Sequence, residues 1–312
     1  MEKIQSQSKT IGAKRVGCYI VLVLLAIISL FPFYIMLVNC TRSHMQIQMG
    51  FSAIPGSSLI KNFINLSINK NTESSFWQNA IAKYGVQLSS SNGNYAENYP
   101  ILRGMLNSLF IAISVAALTT YFSAMTSYGI YMYNFKLKKF SFKFIMAVMM
   151  VPTQVSTLGF LRLLGRLHLM DNYIALIVPS IAAPVVFFYM YQSMEATLPF
   201  SIVEAARVDG CNEFRTFNRI VVPMMKPAFA VQAIFSFVST WNNYFVPQLV
   251  ITKKTLWTVP IVIANARNAD YMNNDQGINY MLMTLAIVPL MIIYFALSKY
   301  IIAGATAGGV KE

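Results

Sequence analysis

The chain has 312 residues, of which 56% are hydrophobic and only 11% charged. A soluble domain carries roughly a quarter charged residues, so the bulk of this chain belongs in lipid. The net charge of +13 does not mark a nucleic-acid partner, because Lys and Arg of a membrane protein gather on cytoplasmic loops beside anionic membrane lipids.

Residues 1–15 are polar and carry Lys3, Lys9, Lys14 and Arg15. An apolar run from Val16 to Val38 follows. It is long enough to span a hydrocarbon core of ~30 Å, too long for a signal-peptide core, and followed by no Ala-x-Ala cleavage site. A polar extracytoplasmic loop occupies 39–104, and its Ser- and Asn-rich stretch 69–98 reads as an insertion. Four more apolar runs precede or follow the central charged segment: Met105–Tyr133, Phe144–Leu161, Tyr173–Met194 and Ala228–Ile251. Thr252–Asn279 is an outer loop, Tyr280–Ile302 a sixth span, and 303–312 a cytoplasmic tail. The expected architecture is an all-α membrane protein with six transmembrane helices in one permease domain, 16–302. Five of the six runs contain proline, which suits helices packed against neighbours or water rather than bare lipid. With the N-terminus inside, fourteen of the 24 Lys and Arg fall on inner segments, which favours cytoplasmic N- and C-termini.

The segment 195–227 then lies inside. Ser201 followed by Glu204 has capping-box spacing, with Ser201 as N-cap. Asp209-Gly210 stops that helix, since Gly tolerates the left-handed conformation. Asn212 can cap a second helix carrying Phe214, Phe217, Ile220 and Val221, and Pro223 and Pro227 close the unit.

Other chemistry is lacking. The tail Gly304–Glu312 lacks the Ser or Thr, the preceding strand and the following helix of a P-loop. No nucleophile, base and orienter set is visible, so the chain does not read as an enzyme. Cys18, Cys40 and Cys211 suggest no disulfide framework, and His44 and His168 have no second metal ligand near them, so no metal site is expected. No Asp, Glu, Lys or Arg sits mid-span, as an ion-coupled carrier would need, so energy must enter from outside the membrane.

The pattern Glu204-Ala205-Ala206, Gly210, Ile220, Pro223, with Asp209 before the Gly, resembles the EAA loop of membrane permeases of bacterial ABC importers. The wording Glu-Ala-Ala-Arg-Val-Asp-Gly looks most like the carbohydrate-uptake branch, the permeases similar to the maltose-transporter subunit of the MalG type. The resemblance implies the type I ABC importer permease fold in a bacterial cytoplasmic membrane. It implies a second permease subunit, two ATPase subunits that hold ATP and Mg, an extracytoplasmic solute-binding protein, and a sugar or oligosaccharide substrate; no cofactor is expected on this chain itself. A same-fold permease for another solute, such as a peptide or a lipid-linked compound, and a membrane-anchored scaffold are the alternatives.

In the family the loop is a coupling helix that docks in a cleft of the ATPase. That assigns ATPase coupling to Glu204, Ala205, Ala206, Asp209, Gly210, Phe214 and Pro223. Glu204 has two candidate jobs, capping its own helix or pairing with a basic residue of the ATPase. The outer loop matches by position the family's scoop loop, which makes Asn265, Asn268, Tyr271 and Asn273 candidate contacts for the binding protein. Polar groups at membrane depth, Asn107, Gln154, Trp241, Asn242, Asn243 and Tyr244, are candidates for the translocation pathway or, equally, for holding helices together.

Overall fold

The computed structural model describes residues 2–67, 83, 99–268 and 275–307. All regular structure among them is helical. The elements are α1 (Glu2–Cys40), α2 (His44–Gln48), α3 (Leu59–Ser67), α4 (Ile101–Met132), α5 (Lys138–Val148), α6 (Thr153–Arg166), α7 (Ile174–Ile177), α8 (Pro184–Thr197), α9 (Phe200–Val208), α10 (Glu213–Thr216), α11 (Val222–Met224), α12 (Lys226–Trp241), α13 (Phe245–Val250), α14 (Val259–Arg267) and α15 (Gln276–Ala307). The insertion at 69–98 lies outside the described residues apart from Lys83.

Among the described residues, four segments are long and apolar enough to cross a membrane: Arg15–Cys40, Ile101–Met132, Ile174–Thr197 and Gln276–Ala296. A fifth is available if Glu213–Met224 and Lys226–Trp241, bent by 83° at their break, count as one. The expected third span, Phe144–Leu161, is not a single helix. α5 ends at Val148, and Pro152 stands before α6 in an extended conformation. Proline has no N–H and pushes the residue before it out of the helical region, which ends α5 there. The expected fifth span also divides: α12 stops at Trp241, and α13 begins only at Phe245.

The chain forms two compact units. The first combines Met1–Asn98 with Ala266–Leu285. From Val16 to Leu30 the large side chains of α1 are exposed, as an apolar surface meant for lipid or another helix would be. The polar knot of this unit lies just past α1. Asn62, on α3, donates from Nδ2 to the carbonyls of Cys40 and Arg42, both at 2.9 Å. The Arg42 guanidinium donates to Asn39 Oδ1 (3.1 Å), to Gly50 O (3.0 Å) and to Gln46 O. The buried polar groups of this knot thus find partners. Asp275 Oδ1 accepts from Gly277 N at 2.8 Å and opens α15.

The second unit combines Tyr99–Asn265 with Ala286–Glu312. α4 is its axis: α8 and α12 both pack along it. Prolines at 179 and 184 break the helix between α7 and α8. α4 makes good part of the loss. Thr119 Oγ1 donates to Ser180 O at 2.9 Å, and Ser127 Oγ donates to Phe187 O at 2.9 Å. Below this join, Ala124, Tyr128, Tyr131 and Met132 of α4 close a core with Met190, Met194, Val203, Phe217 and Val221. That core carries the central loop.

Candidate coupling loop

The loop is built against the last third of α4. α9 starts at Phe200, with Pro199 in the N-cap position and no side-chain cap. The expected capping box is therefore absent: Ser201 is already inside the helix. What fixes the start is α4. Tyr131 stacks on Phe200 with ring centroids 4.7 Å apart, and its hydroxyl donates to Leu198 O at 3.2 Å. Glu204 is exposed and forms no hydrogen bond or ion pair among the described residues.

α9 ends as the Asp209-Gly210 pair requires. Gly210 has φ +78°, in the left-handed region. Gly210 N donates to Arg207 O at 3.0 Å, and Cys211 N donates to Ala206 O at 3.0 Å. These two bonds are a Schellman stop, which satisfies the last carbonyls of the helix. Asn212 then caps α10 as expected, its side chain accepting from Arg215 N at 2.8 Å. A π-helical turn, Phe217–Val221, links α10 to α11, and Pro223 lies in α11. Such turns recur at functional sites.

The loop has two unlike faces. Val203, Ala206, Thr216, Phe217 and Val221 are buried. Phe217 sits between the rings of Tyr121 and Tyr128, at 5.6 and 5.5 Å. On the outside, Val208 is 88% exposed and Phe214 67% exposed, and Glu204, Ala205, Asp209 and Gly210 are exposed beside them. Val208 and Phe214 are thus apolar side chains that the chain's own packing leaves uncovered on this face.

One ion pair spans the turn: Arg207 Nε donates to Glu213 Oε1 at 2.7 Å. The Tyr128 hydroxyl donates to the other carboxylate oxygen, also at 2.7 Å. The Arg207 guanidinium lies 5.3 Å from the centre of the Tyr133 ring. The hydrogen bond to Glu213 holds the Arg207 pKa above its ordinary value. Sequence reasoning missed Tyr128, Tyr131, Tyr121 and Glu213. The sequence shows tyrosines at helical spacing on one run and opposite charges on either side of Gly210, but not that the two meet.

The remaining candidates are dispersed. Asn107 donates from Nδ2 to Thr255 O (3.1 Å) and Trp257 O (2.9 Å), and the neighbouring Ser108 accepts from Val259 N (2.8 Å). Both hold the turn before α14. Trp241 is buried, stacks on Phe237 and donates from its indole to Ala286 O at 3.1 Å. Asn242, Asn243 and Tyr244 are exposed together at the break after α12, and Gln154 is exposed on α6. Asn265 is half-buried in α14 and Asn268 is exposed just beyond it, whereas Tyr271 and Asn273 lie outside the described residues. Asp171, at φ +55°, clamps the chain after α13. It accepts from Thr252 N (2.6 Å), Thr252 Oγ1 (2.7 Å) and Lys253 N (2.9 Å). The Thr252 hydroxyl first, then the backbone amides, hold its pKa below the usual carboxylate value.

A family model described as "Binding-protein-dependent transport system inner membrane component" matches residues 119–306, a stretch that includes the whole loop. The chain belongs to this family. It is a multi-pass membrane protein and a transport component. Among its relatives, the arabinooligosaccharides transport system permease protein AraQ of Bacillus subtilis is 31% identical over 95% of this chain and 96% of its own length. The lactose transport system permease protein LacG of Rhizobium radiobacter is 28% identical over 94% of this chain and 95% of its own. The sn-glycerol-3-phosphate transport system permease protein UgpE of Escherichia coli is 26% identical over 89% and 90%. The fold is that of a crystal structure of a bacterial ABC transporter involved in the import of the acidic polysaccharide alginate, with a TM-score of 0.73 over 91% of this chain and 95% of that one, at 16% identity.

Proposed function

We propose that this chain is one permease subunit of an ATP-driven importer of oligosaccharides. It supplies half of the translocation path and takes its power from a separate ATPase docked on the loop 195–227. The observation that carries this reading is the two-faced loop. One face is bonded to α4. The other offers Val208, Phe214 and the unpartnered Glu204 around a rigid Gly210 turn. Since Glu204 does not cap α9, pairing with a cation of the ATPase is the role left to it.

Six crossings with both termini in the cytoplasm place the loop on the inner side. For the two broken runs, each crossing is made by a pair of helices. Two ATPase chains holding ATP and Mg, a second permease chain and an extracytoplasmic binding protein complete the machine. Asn242, Asn243 and Tyr244 are exposed polar groups available to the path, and Gln154 on α6 is exposed as well; Asn107 and Trp241 join elements. Asn265, Asn268, Tyr271 and Asn273 belong to the segment facing the binding protein.

The sugar reading draws on relatives named for arabinooligosaccharides and lactose; the relative named for glycerol-3-phosphate supports a small phosphorylated solute as the second reading. Uptake into vesicles holding the assembled transporter and its binding protein separates the two. Labelled arabinotriose, lactose and glycerol-3-phosphate are offered in turn. ATP-dependent accumulation of either saccharide over the phosphate supports the first reading. Accumulation of glycerol-3-phosphate alone overturns it.

A further inference from the structure

The docking face of the loop would be of little use if α9 could pivot on its own turn. Gly210 is a place where the backbone could do so: it is exposed, left-handed, and a side chain added there would meet nothing within 4 Å. The turn is nonetheless braced. Arg207 lies before Gly210, on α9, and Glu213 lies after it, on α10. Their ion pair closes the turn from side to side at 2.7 Å. The second carboxylate oxygen of Glu213 accepts from Tyr128, which belongs to α4. One carboxylate thus ties three elements together.

We propose that Glu213 is a positioning residue: it locks α9, α10 and the end of α4 into one body, so that displacement of the docked face moves α4 instead of folding the loop at Gly210. This rests on the reading of the loop as an ATPase dock.

The geometry favours Glu213 over the other ties. Tyr131 holds only the start of α9, through Leu198 and Phe200. Tyr121 donates to Asn218 Oδ1 at 3.0 Å and holds only the far end. Of these three ties only the one through Glu213 reaches across the turn and to α4 together, and the Tyr133 ring just past α4 lies beside its Arg207 partner. A carboxylate suits the task, because it accepts two donors at once and charge-assisted bonds are stronger than neutral ones. Tyr128 is 4% exposed and its hydroxyl is engaged by Glu213. Loss of that hydroxyl acts on coupling only through Glu213. The ring itself remains packed on Phe217, so Tyr128→Phe retains the core.

The test uses the complete transporter with its own ATPase and an environment-sensitive fluorophore encoded at Leu106. That residue is exposed and lies near the opposite end of α4 from the loop. Orthovanadate takes the place of the γ-phosphate released by hydrolysis and traps ADP, which holds the ATPases closed. Two quantities are read: trapped nucleotide and the spectral shift at Leu106. In Tyr128→Phe and Glu213→Gln, trapped nucleotide is expected to stay at the parent level while the shift falls about fivefold or more, in keeping with loss of a bond to a charged group. The double variant should fall no further than the worse single one, since both remove the same tie. A full shift in both variants overturns the positioning role and leaves the dock standing. Loss of trapped nucleotide together with the shift also overturns it, because the tie would then support docking rather than transmission. A parent transporter in which no ATPase associates with the loop refutes the dock itself.

Discussion

Gly210 offers a sharp quantitative test of the loop as a lever. Its φ of +78° is one that residues with a Cβ avoid. Placing alanine there costs about 1–2 kcal/mol, and β-branched valine more, while asparagine tolerates the conformation better. About 1–2 kcal/mol is a factor of roughly 5–30 in the population of the native turn. If the turn relaxes, the bonds Gly210 N to Arg207 O and Cys211 N to Ala206 O are put at risk, both 3.0 Å now. Crowding inside the chain adds nothing, because a Cβ at this position meets no atom within 4 Å. The effect should therefore follow backbone tolerance and not size. The assay is solute taken up per ATP hydrolysed in vesicles, with the amount of assembled transporter measured alongside. The expected order of retained coupling is Gly, then Asn, then Ala and Leu together, then Val. A series graded by size, with alanine normal and leucine severe, would show a side chain colliding with a partner. Normal coupling in all four variants would end the lever argument.

Three further perturbations test other joints. Gly277→Ala should prevent normal folding of the first unit, because its Cβ would fall 2.6 Å from Arg42 O and 2.9 Å from Asn62 Nδ2; the yield of membrane-inserted, protease-resistant protein checks this, and a normal yield would refute the packing. Asp171→Ala removes three hydrogen bonds to Thr252 and Lys253, each contributing about 0.5–1.5 kcal/mol, so cleavage by protease near 250–253 should rise several-fold. The pH dependence has a definite sign: the folded pKa of Asp171 is depressed, so its stabilisation is present above the unfolded value of about 3.9 and is lost as pH falls through the lower folded value. Between pH 5 and 8 the protease pattern should not change on this account. Phe217→Ala should cost about 3–5 kcal/mol, as for other buried aromatics, and lower the thermal midpoint without abolishing insertion.

Much of the loop was legible in the sequence because its signals are local. Gly after Asp stops a helix, and Asn before Glu213 starts one, whatever surrounds them. Ser201 misled because capping-box spacing states what a helix start could use, and here the contact between Tyr131 and Phe200 sets the start instead. The tie from Tyr128 to Glu213 joins residues 85 positions apart, and no local pattern encodes such a meeting. The apolar runs were legible as runs but not as helices. Pro152 and the Asn242–Tyr244 stretch interrupt two of them, and hydrophobicity does not reveal whether a neighbour will satisfy the freed backbone. Asn107 was legible as a polar group on an apolar run, but its engagement with Thr255 and Trp257 depends on the return of a loop nearly 150 residues later.

The central claim is that the exposed face of the loop docks on an ATP-hydrolysing chain. A photo-crosslinking residue placed at Phe214, in the transporter as it stands in its native membrane, tests it most directly. Asn268, exposed in the segment proposed to face outwards, serves as the comparison. The account predicts that the Phe214 probe captures the ATPase subunit and the Asn268 probe does not. Capture of the ATPase from Asn268 and not from Phe214 would contradict both the orientation and the dock.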